Sequence, residues 1–179
     1  MVKFIFLQNK FMKLRENLSM TIVVLGLSCS GKSTFSNKLG KLLNLEVFHL
    51  DSYYWESPWI VDKTFDINDF VEKENSIIDG NYFNYAFTER LDYCDCIIYI
   101  DCNIFVRIFR MIKRHITYCL TPKKKNAVSQ KINFYFVFIT IYKQIYLQPK
   151  ILQYLKNNYH QKLVYIKNIR SIHLEDENV

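Results

Sequence analysis

Residues 21–34 read Thr-Ile-Val-Val-Leu-Gly-Leu-Ser-Cys-Ser-Gly-Lys-Ser-Thr. The opening Thr-Ile-Val-Val-Leu-Gly is short, apolar and β-branched, and it stops at a glycine. This is the pattern of a strand buried on both faces of a parallel sheet. The spacing from Gly26 to Ser33 is G-x-x-x-x-G-K-S, a phosphate-binding loop set between a strand and a helix. Two of the four glycines in the chain, Gly26 and Gly31, occupy its two required positions. Glycines let the backbone curl so that successive N–H groups face one anion, and the following helix adds its positive end. Lys32 can reach the β- and γ-phosphates, and the Ser33 hydroxyl can take a place on Mg²⁺. The stretch Gly26-Leu27-Ser28-Cys29-Ser30-Gly31-Lys32-Ser33-Thr34 is therefore the expected binding site of ATP with Mg²⁺.

Helical spacing of Phe35, Leu39, Leu42 and Leu43 carries the chain on to about Asn44. Three more short apolar runs end in or next to aspartate: Glu46–Leu50 before Asp51, Ser76–Asp79, and Cys96–Asp101. A loop rich in Tyr, Trp and Pro is expected through Lys63, and a short helix over Phe65–Lys73. Helices are expected over Ile104–Tyr118, Ile132–Leu147 and Pro149–Tyr159, with a last strand at Lys162–Ile166. Strands alternating with helices imply an α/β sheet with right-handed crossovers. In such sheets ligands bind beyond the carboxyl ends of the strands. Asp51 and Asp79 are placed there for metal or proton work, whereas Asp101 has the spacing of a helix N-cap before Ile104.

The chain has 179 residues, half of them hydrophobic and 23% charged, with a net charge of +7. This is the size and composition of one globular domain, not of a disordered or collagen-like chain. Five cysteines without paired zinc spacing, Cys94-x-Cys96 included, fit a reduced cytoplasmic protein and no metal centre. No apolar run is long enough to span a bilayer, and no membrane partner is expected. Basic residues Arg110, Lys113 and Arg114 share one helical face ahead of the polar stretch Thr121–Gln130, an arrangement suited to closing over phosphates. Lys123–Lys125 reads as a solvated loop rather than a nucleic-acid patch, and no base-reading motif is present. His49 reads as core. Trp55 and Trp59, with Tyr53 and Tyr54, suit either a pocket wall or ordinary packing.

Read in order, the phosphate loop, His49-Leu50-Asp51 with Trp55, Ile77-Ile78-Asp79-Gly80-Asn81-Tyr82 and Arg110-x-x-Lys113-Arg114 resemble the DNA topology modulation (FlaR-type) proteins. These are adenylate-kinase-like P-loop proteins, and the resemblance runs from about Met20 to Ile172. It implies a nucleoside- or nucleotide-kinase-type fold with a five-stranded parallel sheet, flanking helices and a basic helical lid. It also implies Asp79 as a Mg²⁺ partner, and Asp51 as metal partner or base. Trp55, Gly80, Asn81, Tyr82 and Arg90 would stand on the acceptor side, with Arg110 and Arg114 as lid arginines. The bases that such proteins carry before the late Pro-Lys are mostly missing from Phe138–Lys150. Residues 1–19 read as an upstream extension, 20–174 as the single domain and 175–179 as an acidic tail. The expected activity is phosphoryl transfer from Mg-ATP to a small-molecule acceptor, by a monomer or homodimer. The alternative is a nucleotide-binding regulatory protein with weak ATPase activity, linked to DNA topology.

Overall fold

In the computed structural model the run Thr21–Leu25 is β1, the middle strand of a five-stranded sheet, and all five of its residues are buried. The structure describes residues 19–57, 60–61, 66, 68–71, 73–83, 86–120 and 134–167. Residues 1–18 of the upstream extension, the acidic tail, Trp59 and the stretch Thr121–Gln130 lie outside them. The other strands of the sheet are β2 (Glu46–His49), β5 (Ser76–Asp79), β6 (Cys96–Asp101) and β7 (Leu163–Lys167), in spatial order β2-β5-β1-β6-β7. Every pairing is parallel, with Val24 level with Asp79 and Ile98, and His49 level with Asp79.

Alternation along the strands builds two cores. Ile22, Val24, Ile98 and Ile100 point to one face, where α1 (Lys32–Leu43) covers them with Phe35, Leu39 and Leu43. Val23, Leu25, Ile97 and Tyr99 point to the other face. There they meet Leu91 of α4 (Phe87–Tyr93) and Ile151, Leu155 and Tyr159 of α7 (Gln148–Tyr159). A parallel sheet covered on both faces explains why its strands are almost uninterrupted apolar runs. α1 ends at Asn44, whose left-handed backbone (φ 53°) closes the last turn on the carbonyls of Gly40 and Lys41.

Some elements depart from the expectation. The stretch after β2 is not a plain loop: it holds the short helix α2 (Leu50–Tyr54) and an antiparallel pair, β3 (Trp55–Ser57) and β4 (Ile60–Val61). The helix expected over Phe65–Lys73 contracts to α3 (Asn68–Val71). α4 was not anticipated, since seven residues are too few to show a periodicity. α5 spans Ile104–Leu120, and α6 (Phe134–Tyr142) runs through a π-helical turn, Lys143–Leu147, straight into α7. Asp101 does not cap α5. Asn103 does, its side-chain oxygen accepting the Phe105 N–H at 2.9 Å. Asp101 instead accepts hydrogen bonds from Gln148 (2.7 Å) and from the Tyr165 hydroxyl.

Candidate active site

β1 delivers Gly26 to the carboxyl edge of the sheet, and the loop to Gly31 turns there. Gly26 has φ 148°, and a Cβ on it would stand 2.5 Å from the Ile100 carbonyl oxygen, so no other residue fits without a backbone shift. Gly31 has φ 99° and opens α1, and Cys29 between them is also left-handed at φ 60°. The loop closes on itself through the Ser30 N–H to the Leu27 carbonyl, 3.1 Å. Leu27 and Ser30 are buried, and Lys32 is half-buried at the first position of α1. Ser33 and Thr34 are exposed in its first turn. This strand–loop–helix arrangement is the one the motif requires.

Two neighbouring elements fasten the loop. After β5, the Asn81 side-chain amide grips Gly26 from both sides. Its oxygen accepts the Gly26 N–H at 3.0 Å, and its nitrogen donates to the Gly26 carbonyl at 2.8 Å. From α5, Arg107 donates to the Ser28 carbonyl at 2.8 Å and to the side-chain oxygen of Gln144 in the π-helical turn. Arg110 donates to the Ser30 carbonyl at 2.8 Å and the Cys29 carbonyl at 3.3 Å. Arg107 is almost completely buried, which pulls its pKa down from the ordinary arginine value. Arg110 thus lies against the loop, while Arg114, one turn on, is exposed.

Arg90 is placed otherwise than expected. It is 1% exposed, with its donors turned to backbone carbonyls. Its guanidinium donates to the carbonyls of Gly80 (3.2 Å), Asn81 (2.8 Å), Tyr82 (3.3 Å) and Ala86 (3.3 Å). Burial lowers its pKa to about 10, which still leaves it charged at neutral pH. Its work is to hold the segment after β5 so that Asn81 reaches Gly26. Asn81, expected on the acceptor side, likewise spends its amide on the phosphate loop. Tyr82 does stay with its expected partner: its hydroxyl donates to Asp51 at 2.6 Å, and its ring lies 4.6 Å from that of Tyr54. Asp51 is exposed in α2, and Trp55 opens β3 next to it in sequence.

Asp79 ends β5 beside the loop and is 4% exposed. One carboxylate oxygen meets His49 Nδ1 at 2.8 Å; the other is buried and has no hydrogen-bond partner among the described residues. His49 is not core. Its ring bridges Asp79 to the Asn37 side chain of α1, with Nε2 2.9 Å from the Asn37 oxygen. The hydrogen bond to Asp79 holds the imidazole above its ordinary pKa, against the opposing pull of burial. An isolated histidine in a short strand carries no sequence signal for this. The hint lay in register: His49 and Asp79 close two adjacent strands side by side.

A buried carboxylate oxygen with no partner, next to a phosphate loop and an exposed Ser33 hydroxyl, is a donor set suited to a hard, hydrated cation such as Mg²⁺. The residues present fit Mg-ATP on that ground. Among the described residues no group of three or more His, Cys, Asp or Glu side chains is placed to hold a metal ion.

No family model matches the chain, and no curated protein matches it. Solved structures do, 54 chains of them. Shikimate kinase from Bacteroides thetaiotaomicron aligns with a TM-score of 0.50 at 17% identity, over 89% of this chain and 90% of that one. Shikimate kinase from Acinetobacter baumannii in complex with shikimate gives 0.49 at 16%, over 93% and 88%. Deoxyadenosine kinase from M. mycoides with bound dATP gives 0.44 at 17%, over 85% and 94%. At this identity the likeness speaks for the fold: a five-stranded parallel sheet with flanking helices, the P-loop kinase fold that the resemblance implies.

Proposed function

We propose that the chain is an ATP-dependent small-molecule kinase of the adenylate-kinase-like type, within the DNA topology modulation group that its sequence resembles. The observation that carries this reading is the buried, partnerless oxygen of Asp79 beside a complete phosphate loop. A loop that merely turned the chain would not need a carboxylate kept unpaired next to it at the cost of its desolvation. The fold shared with a shikimate kinase accords with the reading. The buried thiols of Cys94 and Cys102 accord with a reducing cytoplasm.

Gly26–Thr34 would wrap the triphosphate with backbone N–H groups, and Lys32 would meet its outer phosphates. Ser33 and Asp79 would hold Mg²⁺, Asp79 through water from its unpaired oxygen. Mg-ATP brings the transferable phosphoryl group and offsets its charge when bound. Arg107 and Arg110 keep the loop in shape from behind, through the carbonyls of residues 28–30, and add positive potential there. Asp51, exposed and hydrogen-bonded by the Tyr82 hydroxyl, would accept a proton from an acceptor hydroxyl. Tyr54 and Tyr82 stand on that same side, with ring centroids 4.6 Å apart. Catalysis of this kind is positioning and electrostatics, so each anchor matters through geometry.

The test is ADP release from Mg-ATP with and without a panel of nucleoside monophosphates, nucleosides and small hydroxylated acids. Acceptor-dependent release is expected, and Lys32→Ala should abolish it with the fold retained. A fully active Lys32→Ala protein, or slow hydrolysis indifferent to every acceptor, would overturn the kinase reading in favour of a regulatory nucleotide-binding protein.

A further inference from the structure

α5 buries Arg107 and Met111 on one side and shows the opposite side to water. That outer side is apolar. Phe105 is 78% exposed, Phe109 64%, Ile112 49% and Ile116 51%. Their spacing of four, three and four residues sets them in one stripe along the helix. The run from α6 into the π-helical turn repeats the design. It buries Thr140 and Gln148, and it exposes Phe138, Ile141, Tyr142, Ile145 and Tyr146 between 36% and 66%. A hydrogen bond from Arg107 to Gln144 ties the two helical segments. Large side chains exposed in a row on each are the kind of feature that marks a contact surface.

Charge says what the contact is with. Residues 102–120 and 134–147, which carry the two rows, hold Arg107, Arg110, Lys113, Arg114 and Lys143 and no Asp or Glu. Lys113 and Arg114 on α5, and Lys143 beside Tyr142, are exposed at or near the stripes. A second copy would set one basic surface against another, which repels. A nucleic acid would satisfy the bases but leave Ile112, Ile116, Ile141 and Ile145 wet, because aliphatic chains do not stack on bases. An anionic lipid surface accounts for both halves of the pattern. Phe, Ile and Tyr enter the headgroup–acyl boundary while Lys and Arg meet the headgroups. We propose that the outer face of α5 and α6 docks the protein peripherally on an anionic bilayer. No described helix is long and apolar enough to cross one, and docking needs none.

The test is co-sedimentation of the full chain with vesicles of phosphatidylcholine alone, and of phosphatidylcholine with phosphatidylglycerol. Binding is expected on the anionic vesicles only, weakening as salt is raised. Phe109→Ser with Ile145→Ser, both exposed and outside the nucleotide site, should cut that binding about tenfold or more with the thermal midpoint unchanged. Lys113→Gln with Lys143→Gln should weaken it as well. Absence of binding to anionic vesicles in low salt would overturn the proposal. So would binding that ignores the apolar substitutions, which is plain electrostatic adsorption. A dimer in light scattering that the Phe109→Ser, Ile145→Ser pair dissolves would assign the face to a second copy instead.

Discussion

The pairing of His49 with Asp79 makes the least conspicuous residue of the site a measurable one. The folded protein holds the imidazole above its ordinary value of about 6.5. A raised value means that the folded state binds the proton more tightly than the unfolded chain does. The contribution to stability is therefore complete below the ordinary value and is lost as pH rises through the raised one. His49→Gln, which keeps size and polarity but cannot titrate, should be less stable than the wild type at about pH 5.5, with the gap narrowing towards about pH 8.5. Thermal midpoints of both proteins across that range check it. Parallel curves would mean that the His49 charge plays no part. The phosphate loop was legible because it is a local pattern in which each residue has a job in the same turn. His49 was not, because its job is set by a strand thirty residues away.

At the scale of elements, the site is a set of loops tied by arginines to one another's carbonyls. Arg90 of α4 holds residues 80–82, and Asn81 in turn holds Gly26. Arg107 and Arg110 of α5 hold residues 28–30. Sequence reading placed Arg90 with the acceptor, since an arginine between strands is equally able to face a ligand or a backbone. Only the depth of α4 against the sheet, with Leu91 fully buried beside it, decides the matter. Arg90→Met removes a planar donor from several carbonyls at once and should cost on the order of 2–3 kcal/mol of stability. Arg90→Lys should rescue little of this, because a single ammonium cannot span the same carbonyls. Urea unfolding of the two variants measures it. An Arg90→Lys protein of normal stability that fails only with the acceptor would return Arg90 to a substrate-binding role.

Seen whole, the molecule brings its site together from three distant stretches: the loop at 26–33, the turn at 79–82 and the first turns of α5 at 107–110. The sheet that aligns them was legible from alternating strand and helix patterns and from carboxylates at strand ends. The fastening between stretches was not, because hydrogen bonds from side chains to distant backbone leave no period in a sequence. This construction has a thermodynamic consequence. An unfolded chain keeps none of the three stretches in register, so on the proposed function the nucleotide would bind the folded state alone and stabilise it by mass action. Mg-ATP at about a hundred times its dissociation constant should add about 2.7 kcal/mol. For a domain of this length each kcal/mol is worth roughly 2–4 °C, so the thermal midpoint should rise by roughly 5–10 °C. Asn81→Ala leaves every ligand-facing residue in place but frees Gly26, so at the same Mg-ATP concentration its midpoint should rise distinctly less. Differential scanning calorimetry of the two proteins with Mg-ATP and with Mg²⁺ alone makes the comparison. An undiminished rise in Asn81→Ala would show that the loop holds its shape without the clamp. No rise in the wild type would remove ATP as the ligand.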